Sequence, residues 1–536
     1  MPFDLLIRGG TIYDGTGGEP FVGDVAVTGD EISVVRAVEE TEALEVIDAT
    51  GLAVAPGFIN MLSHSWFSIL HDPRSLGELK QGVTTQVMGE GWSMGPINDS
   101  MRELMLQMKG ALEVEVEWTR LSEYLAHVEK RGTSQNVASF IGATTLRIYA
   151  LGHENRPATP SELDVMKALT EEEMAEGALG IGTALIYSPG SYASTEELIE
   201  ISKVASKYDG KYISHLRSEG NEFLESLREL LRISREAEIS SEVWHLKAAG
   251  KNNWDKIDQV IEIIEEARER GEPITADMYP YTAGATSLGA AIPPWFHEGG
   301  FERLLENLRD EATRKQIRLA IEDSEAGWEN LYKGCDGPEN ILILGVQKEE
   351  LKPYEGKSLA LIAEAEGKDP IECLMDLVLD AGSRVSAAYF MMSEDNVRKE
   401  MALPWVSFGS DARSMAPEGA FLESQTHPRA YGTFVRVLGH YVRDEGVVSM
   451  QEAIRRLTSF PAETMGFDRR GSLKEGYYAD IAIFNPQTIA DTSTFENPHS
   501  YAIGVDHVIV NGKVALRDGE FAGNLAGRAL YGPGKR

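Results

Sequence analysis

The chain has 536 residues, 42% of them apolar, and its 51 basic against 85 acidic side chains give a formal net charge of −34. This length exceeds one ordinary domain, and the acidic balance argues against nucleic acid and against anionic membrane surfaces as partners. The two cysteines have no spacing typical of a disulfide framework or a thiolate metal site. No apolar run approaches the roughly 18 to 20 residues of a membrane span, and no leader precedes the first strand. We expect a soluble, cytoplasmic protein without a membrane partner.

Both ends of the chain have the pattern of short β-strands separated by glycine-rich turns. Residues 1–57 and 467–536 share this pattern, so we expect them to form one small β-sandwich from both chain ends. Residues 58–466 alternate short apolar strands with amphipathic helices, which predicts repeated βα units and an α/β fold with a (β/α)8 TIM-like barrel. Residues 286–345 break the alternation, and we interpret them as a lid insertion over the barrel mouth.

Two predicted strands in the middle of the barrel region end at histidines. Residues 211–214 lead to His215, residues 242–244 lead to His245, and the segment between them has helical spacing. At the carboxyl ends of neighbouring parallel strands, two imidazoles can converge on one metal ion. A single histidine at such a position is more often a structural residue, but two on successive units favour a metal site.

Charged residues accompany these strand ends. Arg217 and Lys247 each follow a histidine by two positions, and side chains at i and i+2 share a strand face. We therefore expect both cations at the same mouth, where they need an anion such as a substrate carboxylate. Asp411 follows the apolar residues 406–409; it is placed either as a general base or as a helix N-cap.

Several sequence motifs occur in the order in which a known family has them. They are Ala55–His64, Gln81–Gly91, Asp277–Gly284, Met392–Glu394 and Thr426–Phe434. Together with the strand-end histidines and the aspartate at 411, they resemble the N-acyl-D-amino-acid deacylases (D-aminoacylases) of the amidohydrolase superfamily, over nearly the whole chain. The resemblance implies a barrel plus a sandwich, a zinc ion, and hydrolysis of an N-acyl amide beside a carboxylate.

The resemblance also implies roles for single residues. These are His215 and His245 as zinc ligands, Asp411 as the catalytic aspartate, Tyr279 near the acyl oxygen, and Arg429 and Lys247 on the substrate carboxylate. Zinc lowers the pKa of a water ligand to about 7. In the expected mechanism Asp411 accepts that water's proton and returns it to the leaving amine, while Tyr279 helps to stabilise the oxyanion.

The first predicted barrel strand departs from the family pattern. The family carries a His-x-His pair preceded by aspartate, whereas this chain has Leu62 and His64, with Asn60 in place of the aspartate. Because leucine cannot bind a metal, we expect one zinc ion per chain. His64 is expected to position the acyl group or the water, or else to be a vestige of the family's pair.

A second departure concerns the family's zinc-binding cysteine. The turn Gly89–Ser93 is one residue shorter than the family's Gly-Asn-Cys-Gly-Phe-Ser. With the gap at the asparagine, Glu90 takes the place of the cysteine; without a gap, Gly91 does. We favour Glu90 as the third metal ligand, because two histidines and one carboxylate form a known catalytic zinc set. The alternative is that Glu90 faces solvent.

The expected function is zinc-dependent hydrolysis of the amide bond of N-acyl-D-amino acids, which releases a carboxylic acid and a free D-amino acid. The preference for D substrates comes from the resemblance alone. Two alternatives stay open: an amidohydrolase acting on a cyclic amide or dipeptide, and a non-catalytic homologue that only binds ligand. The expected partner is a small N-acyl amino acid or a related amide that bears a carboxylate. Whether the chain forms a homo-oligomer is left open.

Overall fold

The structure is a computed structural model that describes residues 2–36, 43–323 and 327–535. Its β-strands in these ranges are β1 Phe3–Ile12, β2 Phe21–Thr28, β3 Glu31–Arg36, β4 Ala43–Asp48, β5 Ala53–Pro56, β6 Phe58–Asn60, β7 Val83–Met88, β8 Asn136–Ser139, β9 Ile141–Gly142, β10 Gly180–Ala184, β11 Lys211–His215, β12 Ser240–Val243, β13 Ile274–Met278, β14 Ala283–Ser287, β15 Ile341–Gly345, β16 Ser386–Phe390, β17 Val406–Phe408, β18 Ile481–Phe484, β19 Val505–Val510, β20 Lys513–Arg517 and β21 Glu520–Phe521.

The α-helices lie mostly between the strands. They are α1 Ser68–His71, α2 Leu76–Leu79, α3 Asp99–Met108, α4 Leu121–Arg131, α5 Ala143–Leu151, α6 Pro160–Ala175, α7 Thr195–Ser206, α8 Phe223–Ala237, α9 Lys256–Glu269, α10 Phe301–Arg309, α11 Glu311–Glu322, α12 Leu331–Gly334, α13 Leu359–Glu366, α14 Pro370–Ala381, α15 Glu394–Met401, α16 Arg429–Arg436, α17 Met450–Leu457 and α18 Ser459–Met465. Helix α16 continues into the π-helix Val437–Asp444. Among the helices of the described ranges, none combines the length and apolar character needed to cross a membrane.

Strands from both chain ends join in one sheet. This nine-stranded sheet has the order β21-β20-β19-β18-β5-β1-β2-β3, with β4 paired to β1. The two ends meet where β5 pairs antiparallel with β18, with Ala53 opposite Phe484. Apolar residues from both ends, such as Ile7, Val25 and Ile481, pack into one buried cluster, so the two segments stabilise each other. All nine strands lie within the two end segments identified from the sequence.

The middle of the chain supplies parallel strands. Strands β6-β7-β8 form one parallel sheet, and β17-β13-β12-β11-β10-β9 form another. Only Phe140 separates β8 from β9, and at the opposite edge the Met61 amide donates to the Phe408 carbonyl at 3.2 Å. The two sheets therefore adjoin at both edges. Because the pairing is parallel throughout, the carboxyl ends of these strands face the same side.

Helices between these strands cover the sheets with an apolar face. Helix α8 buries Leu227, Leu230 and Leu231, a spacing of three and four residues that puts side chains on one helical face. That face packs against strand β12, while Arg228 and Arg232 face solvent. This packing positions the strand end that His245 follows.

An insertion follows β13 and has its own core. Strands β14, β16 and β15 form an antiparallel sheet, with Thr286 opposite Ala387. Their apolar side chains form a separate buried cluster with helices α10 to α14, and Tyr279 belongs to this cluster. The inserted unit therefore extends beyond the range 286–345 indicated by the sequence, because β16 supplies the central strand of the sheet.

Candidate metal centre and substrate site

Three buried side chains converge where the parallel strands end. Oε1 of Glu90 lies 2.9 Å from Nδ1 of His215 and 2.9 Å from Nε2 of His245. Glu90 follows β7, His215 ends β11, and His245 follows β12. The ligand atoms of the three residues lie within 4.8 Å of one another. Two imidazoles and one carboxylate in this arrangement fit the donor set of a catalytic zinc site.

A turn with two glycines brings Glu90 into this position. Gly89 has φ of 115° and Gly91 has φ of 65°, values that L-residues rarely adopt. A Cβ at Gly89 would lie 2.5 Å from the carbonyl oxygen of Phe140, so only glycine fits there. Burial raises the pKa of Glu90, but hydrogen bonds from the histidines outweigh burial and hold that pKa well below its usual value. The carboxylate is therefore ionised.

His64 and Asp411 stand on the other side of Glu90. Nε2 of His64 lies 2.9 Å from Oε2 of Glu90 and 2.9 Å from Oδ1 of Asp411. These three residues form a second group within ligand distance. Burial lowers the pKa of His64, but the hydrogen bonds to Asp411 and Glu90 outweigh it and raise that pKa to about 9. A protonated His64 thus links two carboxylates.

The departures from the family pattern at Leu62 and Asn60 have structural reasons. Leu62 is fully buried in an apolar cluster and offers no ligand atom. The Asn60 amide nitrogen donates to Glu78 at 2.9 Å and to the Ser410 hydroxyl at 2.8 Å, and its oxygen accepts from the Ser410 amide at 2.9 Å. Asn60 therefore ties β6 to the segment that follows β17.

Arg429 is a buried cation with one unpaired donor nitrogen. Its side chain is 4% exposed, and Nη1 lies 2.8 Å from Oδ2 of Asp411. Its guanidinium carbon lies 4.7 Å from the centre of the Tyr279 ring. Among the described residues, Nε of Arg429 has no hydrogen-bond partner, whereas Nη1 is paired with Asp411. Buried donors are normally paired, so Nε is available to an anion.

His427 holds Arg429 in place and was not assigned a role from the sequence. Nδ1 of His427 accepts from the Arg429 amide at 3.0 Å, and its Nε2 donates to the Ala283 carbonyl at 2.9 Å. Burial and the nearby guanidinium keep the pKa of His427 well below its usual value. The neutral imidazole therefore connects the inserted sheet to helix α16. The sequence signal that could have identified His427 is its position in the family motif Thr426–Phe434.

Burial and neighbouring charges determine the protonation states of Asp411 and Tyr279. Burial raises the pKa of Asp411, but Arg429 and the hydrogen bond from His64 outweigh it and lower that pKa. Burial raises the pKa of Tyr279 to about 12, against the opposing charges of Lys247 and Arg429. At neutral pH, Asp411 is thus an acceptor and the Tyr279 hydroxyl a donor.

Lys247 joins the cluster, but a carboxylate already engages it. Its Nζ lies 2.6 Å from Oε1 of Glu219, 2.6 Å from Nδ1 of His245 and 2.9 Å from the His245 carbonyl. Glu219 itself lies 3.0 Å from His245 Nδ1. Burial raises the pKa of Glu219, but Lys247 and the two site histidines outweigh it and lower that pKa to about 2. The contact of Lys247 with a substrate carboxylate stays a prediction.

Arg217 is not brought into the cluster. Its guanidinium binds Glu229 twice at 2.9 Å and the carbonyls of Ser191 and Ala193 at 2.9 and 3.0 Å. Strand β11 ends at His215, so the rule that i and i+2 share a strand face does not extend to Arg217. The expected common face of Arg217 and Lys247 is therefore not observed.

Comparison with known proteins identifies the family. The model of the Amidohydrolase family matches residues 45–516. The chain belongs to the amidohydrolase family. It is 33% identical over 537 residues to the D-aminoacylase of Alcaligenes xylosoxydans xylosoxydans, covering 99% of this chain and 98% of that relative. The resemblance predicted from the sequence motifs is thereby confirmed.

Solved structures of amidohydrolases agree with this assignment. The crystal structure of a D-aminoacylase matches with a TM-score of 0.82 and 32% identity, covering 99% of this chain and 100% of that one. The N-acyl-D-glutamate deacylase of Bordetella bronchiseptica, in complex with zinc and a phosphonate inhibitor, matches with a TM-score of 0.81 and 27% identity at the same coverage. This amidohydrolase is a deacylase-like, metal-dependent hydrolase of amides with the mixed α/β fold of the D-aminoacylases.

Proposed function

We propose that this amidohydrolase hydrolyses the amide bond of N-acyl-D-amino acids with the help of one zinc ion. The observation that carries the proposal is Arg429, a buried cation that contacts Asp411 through Nη1 beside the Glu90–histidine cluster and whose Nε is unpaired. A substrate whose amide nitrogen is bonded to a carbon that carries a carboxylate could place the amide at the Glu90–histidine cluster and the carboxylate at Arg429. The full-length similarity to a D-aminoacylase supports the substrate class and the D configuration. The zinc complex of the glutamate deacylase supports the metal.

Glu90, His215 and His245 are the residues that would hold the zinc ion, because their ligand atoms already converge. When bound, zinc supplies a Lewis acid that polarises the amide carbonyl and makes water more acidic. One ion per chain is proposed because Leu62 offers no ligand atom where the family carries a histidine of its His-x-His pair. In the second group, His64 and Asp411 are hydrogen-bonded to each other.

The protein's own side chains would carry the proton. Asp411 is ionised at neutral pH and accepts a proton from the attacking water as the water oxygen bonds to the acyl carbon. The Tyr279 hydroxyl donates to the developing oxyanion. When the carbon–nitrogen bond breaks, Asp411 returns the proton to the amine. Arg429 binds the α-carboxylate through the guanidinium edge that carries its unpaired Nε, and His64 orients Asp411.

We further propose that the parallel strands form the predicted (β/α)8 barrel. The support is that the two parallel sheets adjoin at both edges, through Phe140 on one side and the Met61–Phe408 hydrogen bond on the other. The terminal nine-stranded sheet would then be the predicted sandwich, and the unit built on β14, β15 and β16 the predicted lid. In such a barrel the catalytic residues lie at the carboxyl ends of the strands, where this chain has its cluster.

A substrate panel tests the proposed function. Release of free amine is measured with N-acetyl-D- and N-acetyl-L-amino acids, and ring opening to the N-carbamoyl amino acid is measured with a hydantoin, each with zinc supplied and each repeated after chelation. We expect zinc-dependent release from D substrates and little from their L partners. Turnover of the hydantoin alone would favour a cyclic-amide hydrolase instead. No turnover of any compound would contradict the proposal.

A further inference from the structure

A carboxyl group of the inserted unit reaches the loop beside the candidate metal centre. Glu329 lies between helices α11 and α12 and is 9% exposed. Its Oε2 accepts from the Ser218 hydroxyl at 2.6 Å and from the Glu219 amide at 3.2 Å. Both partners follow strand β11, which ends at His215. The inserted unit is therefore hydrogen-bonded to the segment that directly follows a candidate zinc ligand.

These contacts hold the backbone of the segment in place. The Ser218 hydroxyl, which donates to Glu329, itself accepts from the Gly220 amide at 3.1 Å. The Glu219 carbonyl accepts from the Ala249 amide at 2.8 Å. A Cβ at Gly220 would lie 3.3 Å from both carboxyl oxygens of Glu329, so the glycine leaves room for that carboxyl group. The backbone of Glu219 is thus held through its amide and through its carbonyl.

The side chain of Glu219 faces both candidate histidine ligands. Its Oε1 lies 3.0 Å from Nδ1 of His245 and 2.6 Å from Nζ of Lys247, and its Oε2 lies 3.7 Å from Nε2 of His215. A carboxylate at the second nitrogen of a ligand imidazole orients the ring and increases its basicity. The position of Glu219 therefore affects how the two histidines are presented to a metal ion.

The core of the inserted unit fixes Glu329 itself. Its neighbours Trp328 and Leu331 belong to the separate buried cluster of that unit. The Asn330 side chain donates to the Ile321 carbonyl at 2.9 Å, which ties the segment to helix α11. The carboxyl group of Glu329 is therefore held by a packed unit, and its two hydrogen bonds join that unit to the segment after β11.

We propose that Glu329 is a positioning residue, through which docking of the inserted unit is coupled to zinc binding. The inference rests on the proposed function, since zinc is the ion proposed for this centre. With the unit docked, Glu329 holds Glu219, and Glu219 orients His245; without this contact the loop that carries Glu219 is free to move. Coupling between two binding equilibria is reciprocal, so bound zinc holds the inserted unit on the loop by the same factor.

The protonation of Glu329 decides which variant is conservative. Burial, and then the charge of Glu219, raise the pKa of Glu329 to about 7, against the hydrogen bonds from Ser218 and the Glu219 amide and the charge of Lys247. Below pH 7 the carboxyl group therefore holds a proton, and glutamine resembles it in shape and charge. Glu329→Gln keeps an oxygen that can accept both hydrogen bonds, whereas Glu329→Leu removes the acceptors at similar size.

Zinc affinity, measured below pH 7 by competition with a chelator, is the first test. We expect Glu329→Leu to weaken zinc binding by about 10-fold, the lower end of the range for groups outside the ligand set, and Glu329→Gln to retain most of the affinity. The matched control is Glu306→Leu, which removes an exposed glutamate of α10 that pairs with Arg303; its zinc affinity should equal that of the unmodified protein.

Hydrogen exchange of the unmodified protein is the second test and needs no substitution. Helix α12 is a single turn, Leu331–Gly334, and a helix this short does not keep its hydrogen bonds without packing, so exchange of its amides reports docking. We expect zinc to slow this exchange by up to about 10-fold, the factor expected for the affinity, and to have little effect in Glu329→Leu. Helix α13 of the same unit is the internal reference.

The two tests separate this inference from the proposed function. A Glu329→Leu variant with a lower unfolding temperature but unchanged zinc affinity would reduce Glu329 to a structural role and overturn the inference. Exchange in α12 that does not respond to zinc would overturn it as well, and this result does not depend on whether the leucine variant folds. Both outcomes leave the proposed function intact. A protein that binds no zinc would overturn the proposed function, and this inference with it.

Discussion

Oε1 of Glu90 lies 2.9 Å from Nε2 of His245, so the carboxylate predicted from the sequence as third metal ligand is adjacent to that histidine. We expect Glu90→Gln, which keeps the shape but removes the charge, to weaken zinc binding by more than the 10- to 100-fold typical of changes outside the ligand set. Zinc affinity is measured by competition with a chelator. Glu78→Gln, at a buried carboxylate that contacts Asn60 rather than the histidines, is the control. Unchanged affinity in Glu90→Gln would exclude Glu90 as a ligand.

Glu219 contacts the candidate metal ligand His245 on the ring nitrogen that faces away from Glu90. It lies 3.0 Å from Nδ1 of His245 and 2.6 Å from Nζ of Lys247. We expect Glu219→Gln to lower zinc affinity by about 10- to 100-fold. It also leaves the buried Lys247 without its partner, which costs about 3 to 5 kcal/mol of stability. Adding Lys247→Met should restore the temperature of unfolding but not the zinc affinity. If the double variant recovers both, Glu219 only neutralises Lys247.

The sequence predicts where the apolar runs end better than it predicts the partners of the charged residues beyond them. His215 and His245 terminate apolar runs within a regular alternation, so their common location follows from the topology of parallel strands. The prediction that Glu90 is a metal ligand follows from the length of the turn Gly89–Ser93. Arg217 and Lys247 have the same local pattern, yet one binds a carboxylate of helix α8 and the other binds Glu219. Their partners decide their orientation, and spacing along one strand contains no information about those partners.

The extent of the insertion has a similar explanation. The break in the alternation at 286 marks where the inserted unit begins, but its end depends on β16, whose residues 386–390 pair with both β14 and β15. Strands β14 and β16 are about a hundred residues apart in the sequence, so no local sequence pattern indicates that they pair.

Asp411 is the residue whose role the structure makes easiest to separate from metal binding. Its backbone has φ of 49°, a conformation that asparagine tolerates, so Asp411→Asn should fold normally. We expect kcat to fall by roughly 10²- to 10⁴-fold because the proton acceptor is lost. Zinc content should stay unchanged, since Glu90, His215 and His245 remain. Metal analysis of the purified variant checks this. Loss of zinc would make Asp411 a ligand instead.

Arg429 should determine the affinity for substrate. Lysine keeps the charge but cannot form two parallel hydrogen bonds to a carboxylate, so we expect Arg429→Lys to raise KM for N-acetyl-D-amino acids by about 10- to 100-fold. Arg436→Lys is the matched control, because Arg436 lies on the same helix but pairs with Asp491. A fall in kcat without a change in KM would indicate that Arg429 acts only through Asp411.

Glu78 makes stability depend on pH. Its burial raises its pKa to about 8 from an ordinary value of 4.5, against the smaller opposing effects of hydrogen bonds from Asn60 and Ser63. The folded protein therefore holds this proton more tightly than the unfolded chain. The resulting stability is fully present below pH 4.5 and is lost as the pH rises through 8.

We therefore expect the unmodified protein to lose stability relative to Glu78→Gln between pH 4.5 and 8, by a final difference on the order of 3 to 5 kcal/mol. Unfolding temperatures of the two proteins measured across this range test the prediction. The control is Glu171→Gln, at an exposed glutamate of α6. Its unfolding temperature should change with pH in the same way as that of the unmodified protein. A constant difference between Glu78→Gln and the unmodified protein would mean that Glu78 is ionised in the fold, and that the Asn60 and Ser63 hydrogen bonds outweigh its burial.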